Sequence, residues 1–440
     1  MYEPVERDPE RQQTDYRATS VRAAYWASRA PAYQPDQPAA PVERDISEER
    51  AYFEAYSTRR TPASLAHADA SMVSGHQQMY TPGATSEVER LRREEKTRGR
   101  TAGPAPYFWE MVQKPRPTSP LLAGAFWLVA AALIVSALLT ASYAGASVYA
   151  ASKLVYAPQV APQGTPGDAG LAYKDVTFLS RTDHVLLRGW FIPGVSSPGH
   201  LSAAKTIIVA HSQGSNRTDP SVGLLDLSDA LAKHGYAVLA FDMRGSGESA
   251  SAPTSLGYFE QRDVLGAVDF LRTGEMPYPN LGRPKAIGGW GVSMGAAAML
   301  LAAAQEPALR AIVSDSAYAD LTPIIKQETP ARAHMPGVFT PGILEAEQTM
   351  YGIDYYNVKP VAVVARIAPR PIFFIHGADD TTLSPDNMTA LAQAAQQASN
   401  AHVQTWLAPN AKNGQAFHVD GKDYVNRVVA FFAANLSPAA

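Results

Sequence analysis

A hydroxyl, an imidazole and a carboxylate stand in three separate loops of this 440-residue chain, in an order that suits nucleophilic acyl chemistry. Residues Gly291-Val292-Ser293-Met294-Gly295 read G-x-S-x-G. They follow the apolar run Ala286–Trp290 and open an Ala-rich stretch. In a strand–turn–helix setting this spacing strains the serine backbone, and the glycines remove Cβ atoms that would clash across so sharp a turn. The hydroxyl is left exposed at a helix N-terminus, where backbone N–H groups can stabilise a developing oxyanion. A Gly-rich turn that merely starts a helix is the plainer explanation. The strand before it and the helix after it favour a nucleophile.

A serine hydroxyl is a weak nucleophile without a base. Ten histidines are present. With the order serine, acid, histidine, only His402 and His418 lie beyond the candidate acid. His402 precedes the apolar run Val403–Leu407 and His418 follows it, so His418 falls at the end of that strand where the serine sits. The acid should also leave the end of a strand. His376-Gly377-Ala378-Asp379-Asp380 follows the run Pro371–Ile375 (PIFFI). Two adjacent aspartates compete for the role, and turns often spend one Asp on local hydrogen bonds. A buried carboxylate there would hold the imidazole in one tautomer.

The elements that must position these groups alternate between strand and helix. Apolar strand runs are expected at 173–178, 185–192, 206–210, 237–241, 286–290, 311–314, 371–375 and 403–407. Helical spacing is expected at 223–233, 259–272, 294–305, 385–398 and 424–434. Continuous apolar strands alternating with helices predict an α/β fold with a mostly parallel, doubly wound sheet. Right-handed crossovers then bring the strand-to-helix loops to one edge, where ligands bind in such sheets.

Four motifs in order resemble the α/β-hydrolase superfamily over about residues 171–437. Ile207–Arg217 (IIVAHSQGSNR) resembles its oxyanion loop and Phe241–Ser249 (FDMRGSGES) its D-x-R-G-x-G-x-S loop. Gly291–Gly295 is the nucleophile elbow, and His376–Asp380 fits the H-G-x-x-D acid loop. The closest flavour is similar to the membrane-anchored, serine-aminopeptidase-like or BEM46-like branch. The resemblance implies Asp380 rather than Asp379 as the acid. It also implies an oxyanion hole from the backbone N–H groups of Gln213 and Met294. One departure is Ser212, where the family usually has glycine. His211, Asp242, Arg244 and His376 are expected to organise loops.

The rest of the chain divides unevenly. Residues 1–118 carry 17 Lys+Arg and 17 Asp+Glu but only two Leu, one Ile, six Val and two Phe. So little apolar surface cannot offset the entropy of ordering, and this arm is expected to be disordered. Residues 117–152 hold no Asp, Glu, Lys, Arg or His, and 119–150 are expected to form one transmembrane helix. Arg98, Arg100, Lys114 and Arg116 precede it, and only Lys153 follows closely. The positive-inside rule puts the arm in the cytoplasm and the C-terminal domain outside. A linker at 151–170 then leads to a hydrolase domain at 171–440.

Between two expected strands, residues 318–368 are too long for a bare connection and are expected to form a small helical cap. Its Met335, Phe339, Ile343, Met350, Tyr351, Tyr355 and Tyr356 are expected to face an acyl or side-chain pocket or to pack on the core. The absence of cysteine excludes disulfides and thiolate chemistry. A net charge of -3 gives no footprint for nucleic acid. No metal or organic cofactor is expected. The expected function is a membrane-anchored serine hydrolase acting on an ester or a small peptide or amide bond. The alternative is a non-catalytic, membrane-tethered binding or signalling module on the same fold.

Overall fold

The computed structural model describes residues 120–156 and 158–436. The expected arm, 1–118, lies outside them. Ten strands follow the first helix: β1 (Lys174–Leu179), β2 (Leu186–Ile192), β3 (Gly194–Ser197), β4 (His200–Ser202), β5 (Lys205–Ala210), β6 (Ala237–Phe241), β7 (Ala286–Val292), β8 (Leu309–Asp315), β9 (Ile372–Gly377) and β10 (Val403–Ala408). Eight form one sheet in the order β1-β2-β6-β5-β7-β8-β9-β10, while β3 and β4 make a separate hairpin that the sequence pattern does not announce. The first two pairings, β1–β2 and β2–β6, are antiparallel and the remainder parallel.

The helices are α1 (Pro120–Val155), α2 (Leu224–Lys233), α3 (Glu260–Thr273), α4 (Met294–Ala303), α5 (Leu321–Ala333), α6 (Thr340–Tyr351), α7 (Pro360–Val363), α8 (Asp386–Gln396), α9 (Ala416–Val419) and α10 (Gly421–Asn435). Both sheet faces are covered, which is why the central strands read as unbroken apolar runs. On β5, Ile208 and Ala210 join the core under α3, α4 and α8. Ile207 and Val209 join the core under α2 and α10. Helix α4 (MGAAAMLLAA) is apolar all round because it is buried all round. The chain passes from β5 to β6 on one side and returns to β7 on the other. The loops after β5 and β7 therefore part at a switch point, the expected crevice of a doubly wound sheet.

Helix α1 has 36 residues and is long and apolar enough to cross a membrane. It runs beyond the expected end at residue 150. Through Ser142 the residues whose exposure is described, save the half-exposed Ala130, are exposed. From Tyr143 onward, Ser147, Ala150, Ala151 and Val155 turn inward, three or four residues apart as one helix face requires. That face packs on α6. Ala150 and Ala151 cluster with Ile343 and Ala346, flanked by Met335 and Phe339. Tyr143 stacks on Phe339 with ring centroids 5.0 Å apart. A Cβ on Gly342 would come within 2.5 Å of Ser147 Oγ, so the small residue permits the approach.

The segment 318–368 is helical, as expected, and most of its named apolar residues pack against protein. Met335, Phe339 and Ile343 grip α1. Tyr355 and Tyr351 pack on the main core. Met350 and Tyr356 are exposed. The segment after α1 is also tied down. Gln159 Nε2 donates to the carbonyls of Ser246 and Ser249 (3.2 and 2.8 Å), and Asn216 Nδ2 donates to that of Val160 (2.9 Å).

Glu347 of α6 is 1% exposed and its Oε2 has no partner among the described residues. Burial pushes its carboxyl up to about 7, against the pull of the Arg332 charge. The native state then holds a proton that the unfolded chain releases above its ordinary value of 4.5. This contribution is fully present below that value and fades as pH rises through about 7. Glu347→Gln keeps the neutral shape. Its stability relative to wild type should rise by up to about 3 kcal/mol between about pH 5 and pH 8, measured by denaturant unfolding at each pH. A pH-independent difference would contradict the assignment.

Candidate active site

Strand β7 is buried throughout and delivers Ser293 at its C-terminal end. The serine has φ 52 and ψ -117, a conformation that non-glycine residues rarely adopt and that costs about 1–3 kcal/mol. Its N–H donates to the Asp315 carbonyl (2.8 Å), which pins the turn to β8. The flanking glycines are required by space. A Cβ on Gly291 would lie 2.5 Å from the Gly295 carbonyl oxygen, and one on Gly295 would lie 2.5 Å from that of His211 and nearer still to that of Ala210. The elbow therefore sits hard against the end of β5. Ser293 is partly exposed and begins α4, as the spacing predicts.

The same close approach sets the loop after β5 beside the elbow. His211 is fully buried; its Nε2 accepts the Met243 N–H (2.9 Å), so Nδ1 carries the proton and donates to the Ser212 carbonyl (2.7 Å). It organises the loop, as expected. Ser212, the departure from glycine, turns its hydroxyl to Asp219 Oδ2. Among the described residues, neither the Gln213 nor the Met294 N–H is spent on a backbone hydrogen bond outside helices and strands. Asp242 and Arg244 are structural but do not pair with each other. Asp242 is bonded by the backbone N–H and guanidinium of Arg217, and Arg244 by Asp263 and Asp183.

Asp380 occupies the expected acid position, but its carboxylate is fully engaged. A carboxylate offers about four acceptor sites. Oδ1 takes the N–H groups of Thr382 (2.9 Å) and Leu383 (2.8 Å). Oδ2 takes Asn413 Nδ2 (2.8 Å) and lies 3.1 Å from His376 Nε2. Burial would raise the Asp380 pKa, yet the bonds from His376, Leu383 and Asn413 hold it below the ordinary carboxylate value. His376 also donates to the Leu383 carbonyl (2.8 Å), and is wholly buried.

His418 is placed differently from expectation. It follows β10, on the short helix α9, and is exposed. Its Nε2 lies 3.2 Å from the Pro220 carbonyl oxygen, and its ring edge abuts Gly223 and Phe417. The expected contact with Asp380 is thus not made, because α9 carries His418 toward the loop before α2. The residue that meets Asp380 is Asn413, which the sequence reading passed over. A Cβ on its neighbour Gly414 would lie 2.9 Å from Val292 Cγ2, one residue from Ser293. Gly414 N–H donates to Ser316 Oγ (2.9 Å). A signal for it lies in the sequence: Asn413 follows the end of β10 by five residues, but an amide is not a proton-accepting group of the kind a relay requires.

Behind the site a buried chain of bonds ties β7, β8 and α10 together. Trp290 Nε1 donates to Tyr424 Oη (3.0 Å), which donates to Asp315 Oδ2 (2.8 Å). Burial pushes Asp315 up to about 6, opposed by its bonds from Tyr424 and Ser316. A cleft of about 280 Å³ opens between the loop after β5 and the segment after α1, lined by Ser212, Gln213, Asp219, Val160, Ala161 and Gln163.

Residues 227–439 match the prolyl oligopeptidase family. Among solved structures, the Pyrococcus furiosus esterase Pf2001 in space group P212121 is 25% identical, with a TM-score of 0.53 over 64% of this chain and 98% of that one. A second crystal form of that esterase gives 24% identity and a TM-score of 0.50, over 64% and 99%. The Pyrococcus horikoshii acylaminoacyl peptidase is 16% identical with a TM-score of 0.44, over 61% of this chain and 42% of that one. Comparison with curated protein sequences finds no match. The mostly parallel sheet, the strained elbow serine, the family match and the likeness to the 25% identical esterase make the chain a member of the α/β-hydrolase superfamily, with the architecture of its serine hydrolases.

The elbow's geometry makes a direct prediction. Gly295→Ala must push α4 away from the β5 carbonyls, so it should cost about 1–3 kcal/mol by denaturant unfolding. An unchanged midpoint would mean that the turn is looser than described.

Proposed function

We propose that the chain is a membrane-anchored serine hydrolase that cleaves a carboxylic ester or a small peptide or amide bond. The observation that carries this reading is the strained, partly exposed Ser293 at the head of α4. Strain of this kind persists where surrounding structure over-determines it, as at a nucleophile. In this reading Ser293 Oγ attacks the carbonyl, and the oxyanion is met by the N–H groups of Met294 and Gln213, each worth about 3–4 kcal/mol to the transition state. His418 takes the serine proton and passes it to the leaving group. It must first turn from Pro220, and Asp380 must exchange Asn413 for the imidazole. Each exchange breaks one hydrogen bond worth about 1 kcal/mol net. Water then releases the acyl group. Helix α1 is the anchor, with the cations before it on the cytoplasmic side and the hydrolase domain outside. The Pf2001 likeness favours esters.

A second reading is favoured by one observation: Asn413 holds the Asp380 oxygen that a catalytic imidazole would need. Asn cannot accept the serine proton at neutral pH, so the domain would be a tethered module that binds carbonyl ligands without rapid turnover.

A panel of p-nitrophenyl esters of rising chain length, set against aminoacyl p-nitroanilides, separates the two. The first reading expects turnover in the wild type, abolished by Ser293→Ala and reduced about 10²–10⁴-fold by His418→Gln. An inert wild type together with an active Asn413→His variant would establish the second reading and remove His418 from the relay.

A further inference from the structure

Helix α1 is longer than a bilayer needs, and its surplus is fastened to the cap. From Leu121, a hydrocarbon core of about 30 Å is crossed in about 20 residues, which ends near Thr140. Tyr143 lies one turn further on. Its Oη donates to the Val338 carbonyl (2.9 Å) and accepts the Gly342 N–H (3.2 Å), and its ring stacks on Phe339. These three contacts lock the loop between α5 and α6 to α1 at that level. At about 1.5 Å per residue, Tyr143 is only about 5 Å along the axis from the edge of the hydrocarbon. Helix α6 then runs alongside α1 away from this point, since Gly342 meets Ser147 while Tyr351 meets Tyr156.

The locked loop has an unusual surface. Residues 335–344 (MPGVFTPGIL) contain no charged side chain. Pro336, Gly337, Val338 and Pro341 are exposed, Val338 to 67%. Arg332 and His334 precede the stretch and Glu345 follows it. An aqueous loop of this length ordinarily carries polar residues. Here an apolar tip rimmed by polar residues points to a partner.

We propose that this tip, residues 335–344, is a membrane-contact surface seated in the interfacial region of the leaflet from which α1 emerges. Val338 and the two exposed prolines enter the boundary between headgroups and acyl chains. Burial of apolar area drives this, as for interfacial anchors. Tyr143 stands at the level where aromatic residues gather. The cap is thereby held at a fixed height and tilt, and the hydrolase domain faces the membrane rather than swinging on a tether. The proposal rests on the reading of α1 as a membrane span.

The absence of cysteine makes the test clean. Three single variants of the full chain are labelled with one environment-sensitive fluorophore and reconstituted in phosphatidylcholine nanodiscs. Val338→Cys reports the tip, Leu133→Cys the middle of α1 and Ser197→Cys the exposed β3–β4 hairpin. The expected result is that the Val338→Cys label is blue-shifted, shielded from aqueous iodide and quenched by lipids spin-labelled high on the acyl chain. The Leu133→Cys label should be shielded and the Ser197→Cys label should not. If Leu133→Cys is shielded while Val338→Cys behaves like Ser197→Cys, the membrane span stands and the proposal is overturned. If Leu133→Cys is itself open to iodide, the span reading fails and takes the proposal with it. Shielding of Val338→Cys that persists unchanged in detergent, without quenching by labelled lipid, identifies a protein contact and also overturns it.

Discussion

The site depends on how closely the start of α4 packs against the end of β5. No Cβ fits at Gly295, because the Ala210 and His211 carbonyls already fill the space. The chain leaving β7 therefore cannot relax into an ordinary turn, and Ser293 is driven to a positive φ. The same contact sets the loop that begins at His211 beside the start of α4. One steric constraint thus produces the strained serine and brings the loop after β5 beside it.

The second determinant is the saturation of Asp380. Two backbone N–H groups hold one of its oxygens, and Asn413 and His376 share the other. A carboxylate so bonded is stable as an anion and needs no further partner. Where a relay would place an imidazole, an amide supplies the same hydrogen bond but has no proton-accepting nitrogen. His418 remains on the rim, some residues downstream, against Pro220. Whether the site turns over thus depends on which side chain Asp380 holds.

Much of this was legible in the sequence. Buried parallel strands announce themselves as unbroken apolar runs, and β5, β6, β7 and β9 were placed to within two residues. The elbow was legible because its glycines answer to local sterics. The contact of Asp380 with Asn413 in place of His418 was not, because it depends on the direction in which α9 leaves the β10 loop. That direction is set by tertiary contacts of Phe417 and Gly223. The β3–β4 hairpin was missed because its short, exposed strands carry no apolar alternation. The cap was read as helical, but whether its apolar residues face a pocket or pack on protein stayed open. Periodicity shows that a face is apolar and does not say what covers it; here α1 does so.

The cap therefore belongs as much to the first helix as to the hydrolase domain, and the segment beyond that helix borders the loop after β5. The central claim remains the reactivity of the strained serine. The most direct measurement treats the folded, full-length chain with a fluorophosphonate and locates the adduct by mass spectrometry. The account predicts a single modified residue, Ser293, with labelling lost in Ser293→Ala and on unfolding. Absence of any adduct, or an adduct that survives Ser293→Ala, would contradict it.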